Sequence, residues 1–401
     1  PEELSKELPV IEVELPDRQT IEVIANSVVE EYREYCMESE ITSKLLESAL
    51  GLTVMEARLA FAKAIITNRK LTEEEIPLII SEKEQIIKKS GLLEYFHPKE
   101  FLSSIGGLEN LKEWIHRRGN AYSDEAKDFG LNTPRGVLLL GVPGCGKSLT
   151  AKAIANEWKF PLLRFDLGKV FGGIVGESER NIRYALDVAK TISPCVLWID
   201  EIEKGLSGSQ SSGRTDGGTS ARVFGTFLTW MQEKKEPVFV VATANDISSL
   251  PPELLRKGRF DEIFFVDLPS AKERDNIFRI HLKNKNRDAD KLGLDMNKLV
   301  KLSEGFSGAE IEEVVNEALF NAYANGQKDL EMKNLVECIE ATSPLSRTMA
   351  ETIANLRKWA EQRARLASSE KPEEVKDLGA DVPRLQQEYK NPFIAKKHDD
   401  K

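Results

Sequence analysis

Gly141-Val142-Pro143-Gly144-Cys145-Gly146-Lys147-Ser148 decides how the rest of this chain is read. It fits the phosphate-binding pattern G-x-x-x-x-G-K-[ST]. Just before it, Gly136-Val137-Leu138-Leu139-Leu140 is a short apolar run that predicts a buried strand. After it, residues 149–158 have helical spacing, with Leu149, Ile154 and Trp158 among the apolar positions. A plain glycine turn ahead of a core helix would not require strand, loop and helix in this order. The chemistry does require these residue types. Glycines let backbone N–H groups converge on phosphate oxygens, and a helix N-terminus adds partial positive charge. Lys147 can reach the β- and γ-phosphates of a nucleotide, and Ser148 can offer a hydroxyl to Mg²⁺.

Downstream, residues 160–167 predict a second strand, 168–176 a glycine-rich loop and 177–189 a helix. Cys195-Val196-Leu197-Trp198-Ile199-Asp200-Glu201 is then an apolar strand ending in two carboxylates. About 50 residues after a phosphate loop, this is the second half of an ATPase site. Asp200 would hold the Mg²⁺ shell, and Glu201 would polarise the attacking water as general base. Residues 205–220 are rich in Gly and Ser and predict a mobile loop. A helix follows over 221–232. Val238-Phe239-Val240-Val241-Ala242-Thr243-Ala244-Asn245 is a strand ending in a polar amide. Leu254-Leu255-Arg256-Lys257-Gly258-Arg259-Phe260-Asp261 leads into a fifth strand over 263–266. From Ala271 the pattern is helical, with Gly305-Phe306-Ser307-Gly308-Ala309 as a turn between helices.

The bulk properties agree with a nucleotide-handling protein of several units. The chain has 401 residues, 41% of them hydrophobic, enough for two or three cores. Its net charge of −10 gives the surface as a whole no attraction for nucleic acid. No apolar run reaches the ~18 residues of a membrane span. Cys36, Cys145, Cys195 and Cys338 show no metal-ligand spacing and fit a reducing compartment. Cys145 lies inside the phosphate loop, where oxidation would add bulk against a close backbone approach. The first residue is Pro1 and no signal-peptide pattern follows, so the chain reads as a processed or partial form of something longer.

Residues 1–100 predict helices after an extended start at Ile11-Glu12-Val13-Glu14-Leu15. They echo a later stretch. Glu12-Val13-Glu14-Leu15-Pro16-Asp17 resembles Phe265-Val266-Asp267-Leu268-Pro269-Ser270, and Gly51-Leu52-Thr53 resembles Gly305-Phe306-Ser307. The two offsets are 253 and 254 residues. Either the first unit repeats the last, or two unrelated helical bundles share short tripeptides. At the other end, residues 350–368 predict one more helix, and 371–401 mix charges with three prolines as a poorly packed tail.

The ordered motifs resemble one AAA (AAA+) ATPase module over residues 101–345. They are Ile105-Gly106-Gly107, the phosphate loop, Gly176-Glu177-Ser178-Glu179, Asp200-Glu201, Ala242-Thr243-Ala244-Asn245, Leu255-Arg256-Lys257-Gly258-Arg259-Phe260-Asp261 and Gly305-Phe306-Ser307-Gly308-Ala309. Within that family the chain resembles the plastid-encoded and cyanobacterial AAA proteins of unknown role, in which a degenerate AAA-like region precedes an intact module. The resemblance implies an α/β fold: a P-loop module with a five-stranded parallel sheet and flanking helices (101–268), then a helical lid (269–345). It further implies a C-terminal helix (346–368), a charged tail (369–401) and, before the module, a helical lid-like remnant (1–100).

It also implies roles for single residues. Asn245 matches the sensor that orients the attacking water. Arg256 and Arg259 match fingers that reach the γ-phosphate in a neighbouring subunit. Ile105 and Gly106 match the backbone lining the base, His281 a lid residue near the ribose, and Gly308 and Ala309 the lid turn against the adenosine. Gly144, Cys145, Gly146, Lys147, Ser148 and Leu149 would hold the phosphates, with Ser148 and Asp200 toward the metal. ATP and Mg²⁺ are the implied cofactors. A homo-oligomeric ring, a hexamer in this family, is the implied assembly, in a cyanobacterial cytoplasm or plastid stroma.

Three residues depart from the family pattern. Glu203 stands where the family often has Asp, and Lys257 where it often has Pro. Ile174, in Gly172-Gly173-Ile174-Val175-Gly176, stands where threading members carry an aromatic residue. The leading reading is therefore an ATP-hydrolysing motor that remodels a protein partner. A slow, ATP-gated assembly scaffold is the alternative, favoured by Ile174. A nucleic-acid translocase is disfavoured by the acidic balance and the lack of basic–aromatic interleaving.

Overall fold

The structure is a computed structural model that describes residues 15–171, 177–205, 217–256 and 258–370. Residues 11–14 of the expected first strand, the 172–176 loop with Ile174, residues 206–216, Lys257 and the 371–401 tail lie outside the described residues.

Four helices, Arg18–Glu31, Ser43–Ala49, Val54–Asn68 and Ile76–Ser90, open the described chain. Two short parallel strands, β1 (Glu38–Ser39) and β2 (Lys70–Leu71), join them. Ile21, Val28, Leu45, Leu52, Phe61 and Ile65 form their separate core. The central sheet follows with β3 (Leu93–Phe96), β4 (Gly136–Gly141), β5 (Leu162–Phe165), β6 (Cys195–Ile199), β7 (Val238–Ala244), β8 (Glu262–Val266) and β9 (Arg365–Leu366). Its order is β3-β5-β6-β7-β4-β8-β9.

The five expected parallel strands, β5-β6-β7-β4-β8, are contiguous within it. Every residue of β4, β6 and β7 is buried. That is why they read as unbroken apolar runs: helices cover both faces of the sheet. Leu138, Leu140, Leu197 and Val240 face one core, and Val137, Leu139, Val196 and Val241 face the other. Between β4 and β5 the chain crosses over β7 and β6, so the loop after β4 opens at a point where the strand order reverses. Open α/β sheets bind ligands at such points.

Two strands extend the sheet beyond these five. β3 pairs antiparallel with β5, and its segment had read as part of a helical unit. The helix expected over 350–368 ends at Arg363, and the chain turns at Ala364 to lay β9 parallel beside β8. Both strands are short, and both cover what would otherwise be open sheet edges. Pairing with a neighbour, not local periodicity, makes them strands. The helix expected to begin at Ala221 begins at Gly217.

The segment expected to form the lid contains helices Ala271–Asn284, Met296–Leu302, Gly308–Ala324 and Met332–Ala341 around Phe278, Leu299, Ile311 and Val315. Its first three helices have 14, 7 and 17 residues, beside 14, 7 and 15 in the N-terminal unit. Gly51 and Gly305 both adopt left-handed backbone, with φ of 87° and 79°. Leu52 and Phe306 are both buried. Thr53 and Ser307 both start their helices with a reciprocal cap, to Glu56 and Glu310. Such a cap satisfies donors at a helix start that would otherwise lack partners.

Candidate active site

The phosphate loop leaves β4 at Gly141 and enters the helix Lys147–Trp158. Gly144 and Gly146 have φ of 76° and 88°, a region that side-chain-bearing residues avoid. Gly144 also lies against the lid: its carbonyl accepts from the Ala309 N–H at 3.0 Å. A Cβ on Gly144 would come within 3.0 Å of Ser307 and 3.1 Å of Ala309. The lid turn thus rests directly on the loop. Gly106 is equally constrained, because a Cβ there would lie 2.5 Å from the Ile277 side chain.

A cavity of about 300 Å³ opens between these parts. Its walls include Ile105, Gly106, Gly144, Cys145, Gly146, Lys147, Ser148, Leu149, His281, Gly308 and Ala309, so eleven residues proposed from sequence line one space. A larger cleft, with Arg135 and Arg256 in its walls, lies away from the phosphate loop.

Beside the cavity, hydrogen bonds join the expected catalytic side chains. Ser148 Oγ donates to Asp200 Oδ1 at 2.8 Å. Thr243 Oγ1 donates to the same oxygen at 2.7 Å and accepts from the Glu201 N–H at 2.9 Å. Asn245 Nδ2 donates to Glu201 Oε1 at 3.0 Å. Glu201 has a φ of 49°, unusual for a residue with a side chain. Strained backbone of this kind persists where surrounding contacts hold it. Thr243 makes one of those contacts, and it was not singled out from sequence. Its signal was a polar side chain inside an otherwise apolar strand.

Electrostatics fit an anion site. Lys147 Nζ donates to the Gly141 and Val142 carbonyls at 2.9 and 2.7 Å. Burial pushes its ammonium down to about 8, opposed by negative groups including Glu203, Asp200 and Glu201. Glu203 accepts from the Asn245 N–H at 2.9 Å, and burial pushes its carboxyl up. His281 is shifted down by burial against the opposing pull of Glu312. Burial pushes the Cys145 thiol up to about 12, which lowers the share of reactive thiolate and weighs against a redox-sensitive phosphate loop.

Arg256 and Arg259 are not near this site. Asp261, two residues after Arg259, accepts from the Arg135 and Gly136 N–H groups at 2.7 and 3.0 Å, at the start of β4. The phosphate loop begins at the other end of that strand. Five residues of rise separate the ends by roughly 17 Å. Arg135 Nη1 holds the Gly258 carbonyl at 2.6 Å, and Arg259 donates to Gln232.

The family described as ATPase family associated with various cellular activities (AAA) matches residues 137–268, and the AAA+ lid domain matches residues 293–337. Residues 19–90 match the SpoVK-like AAA ATPase, second domain. The chain is 43% identical over 372 residues to an uncharacterized AAA domain-containing protein ycf46 of Trieres chinensis, covering 92% of this chain and 74% of that protein. The chain belongs to the AAA ATPases. A ycf46 protein of Guillardia theta is 46% identical, across 85% of this chain and 67% of that protein. The proteasome-activating nucleotidase of Aeropyrum pernix is 30% identical, across 80% of this chain and 78% of that protein. The phosphate loop and the lid fall in separate matched units, and the cavity between them draws residues from both. No helix among the described residues is long and apolar enough to cross a membrane.

Proposed function

We propose that this AAA protein hydrolyses ATP at interfaces between its own copies, in a ring, and uses the cycle to remodel a protein partner. The observation that carries the hydrolysis reading is the chain of hydrogen bonds from Ser148 through Asp200 and Thr243 to Glu201 and Asn245. It sets a general-base candidate and its orienting amide beside a cavity walled by a phosphate loop. Lys147 would neutralise the phosphates, Glu201 would take the proton of the attacking water, and Asn245 would hold Glu201 in place.

Ser148 and Asp200 would hold Mg²⁺. Among the described residues no group of three or more His, Cys, Asp or Glu could hold a metal. One hydroxyl and one carboxylate suit Mg²⁺, which keeps several waters and takes phosphate oxygens. The ion would neutralise charge developing between the β- and γ-phosphates.

Distance supports the assembly reading. Arg256 and Arg259 stand at the far end of β4 from their own phosphate loop, where they would serve a neighbouring copy. We read the helices up to Ser90 as a lid-like remnant of a preceding module, β3 and residues 101–268 as the nucleotide-binding part and 269–345 as its lid. The likeness to a proteasome-activating nucleotidase supports a protein-directed ATPase. A plastid stroma or cyanobacterial cytoplasm is the proposed location. The second reading, a slow ATP-gated scaffold, draws on Ile174 in place of an aromatic grip.

Phosphate release tests the first part: wild type should turn over ATP, Glu201→Gln should bind ATP without turnover, and Lys147→Ala should not bind. Equal loss of binding in both variants would refute the assigned roles. Stimulation of turnover by an unfolded protein favours the motor, and its absence favours the scaffold.

A further inference from the structure

We propose that the C-terminal strap, residues 365–368, is a working wall of the nucleotide site, and that Ser368 is a positioning residue for the base. This rests on the nucleotide reading above and goes beyond it. No sequence motif places these residues near the site, more than 200 positions after the phosphate loop.

Three observations carry it. First, the strap is built in rather than draped over. Ala367 is fully buried, its N–H donates to the Phe265 carbonyl at 2.9 Å, and its carbonyl accepts from the Leu111 N–H at 3.1 Å. Asn110 Nδ2 holds the Leu366 and Ser368 carbonyls at 3.2 and 2.8 Å. Second, Ser368 lines the same cavity as Ile105, Gly106 and His281. Third, Ser368 Oγ donates at 2.6 Å to Glu273 Oε1, the oxygen that also accepts from the Leu108 N–H at 3.1 Å. Glu273 is buried at the start of the lid helix Ala271–Asn284, where its other oxygen takes the Ser270 N–H at 2.8 Å.

Glu273 therefore ties three segments together: the 105–108 turn, the lid helix and the strap. The contact is close, since a Cβ on Gly107 would fall 2.0 Å from Glu273. Ile105 and Gly106, matched above to the backbone lining the base, line the cavity and begin the turn this knot holds, which puts the knot on the base side of the site. Without the Ser368 hydroxyl, Glu273 keeps the lid helix, but Oε1, which holds the turn through the Leu108 N–H, loses the bond that fixes it against the strap. A looser turn defines the base less sharply, while the phosphate end is unchanged. Loss of one hydrogen bond to a carboxyl group corresponds to about tenfold in affinity.

The test uses the full chain and titrates fluorescent ADP and GDP. Ser368→Ala should weaken ADP binding about tenfold and narrow the ADP-over-GDP preference. KM for ATP should rise with kcat little changed. Ser368→Thr, which keeps the hydroxyl, should restore both affinity and preference. Asn110→Ala, outside the cavity, should reproduce the weakening by loosening the strap. A chain ending at Glu370 should bind as the full chain does. Wild-type affinity and preference in both Ser368→Ala and Asn110→Ala would overturn the proposal, as would a fall in kcat with KM unmoved. If wild type binds ADP and Lys147→Ala does not, the nucleotide reading stands whatever the strap variants do. If neither binds, it is that reading which fails.

Discussion

Lys147 shows how one buried cation sets a pH limit. With its ammonium pushed down to about 8 from its ordinary 10.5, it carries its charge below that pH and sheds it above. Phosphate affinity that depends on the ammonium should be full below pH about 8 and decline as pH rises through it. The contribution to folding runs the other way. The unfolded chain holds this proton up to 10.5, so stability from this group grows as pH climbs between the two values. Titrating ADP on either side of pH about 8, alongside an unfolding midpoint, checks both signs. Thr243 makes a second case. Thr243→Val removes the hydroxyl that bonds Asp200 and takes the Glu201 N–H. Turnover should fall roughly 10–100-fold, the worth of one or two charge-assisted hydrogen bonds, with ADP affinity unchanged. An equal loss of affinity in equilibrium binding would show that Thr243 supports the loop rather than the base.

At the scale of elements, the helix Ala350–Arg363 holds the sheet end that the nucleotide cavity shares. Arg357 on this helix grips Asp267, just after β8, through two bonds: Nε to Oδ2 at 2.8 Å and Nη2 to Oδ1 at 3.0 Å. The Asp267 side chain is only 7% exposed and lines the cavity. Truncating one partner of such a pair strands a charge with little water around it. Arg357→Ala should lower stability by about 2–3 kcal/mol, and Arg357→Lys by less, because a single ammonium cannot replace the fork. Urea unfolding read by tryptophan fluorescence measures it; an unchanged midpoint would mean that the helix is held by Ile353 and Leu356 alone. The helix itself was legible from its apolar spacing, with Leu356 and Ile353 now buried. Its end was not. Nothing in Arg365-Leu366 favours a strand until β8 offers an unpaired edge.

For the whole molecule, activity should require more than one copy. Arg256 and Arg259, proposed above as fingers, stand at the far end of β4 from the phosphate loop, so on that reading a lone chain would hold ATP with an incomplete charge clamp. Removing an arginine finger typically costs on the order of 10³–10⁵ in rate. Arg259→Ala and Glu201→Gln should each be nearly inactive alone. Mixed, they should recover some turnover, because interfaces pairing an intact Glu201 with an intact Arg259 form only in the mixture. Specific activity should rise with protein concentration before reaching a plateau. A mixture as inactive as its parts, or full turnover by dilute monomer, would rule out a shared site.

The chain's own order was enough to place the phosphate loop, the Asp200-Glu201 strand end, Asn245 and the lid turn at Gly308. Each is a local pattern: glycines where backbone must approach an anion, or a polar group at the end of an apolar run buried on both faces. Thr243 left only the trace of a polar side chain inside an apolar strand, and Glu273 and Ser368 could not be found that way. Their partners are 43, 165 and 95 residues distant, at Asp200, Leu108 and Glu273. A hydrogen bond across such a separation has no periodicity to betray it. Only the pairing of β6 with β7, and the packing of the lid against the C-terminal strap, bring each pair within 3.1 Å.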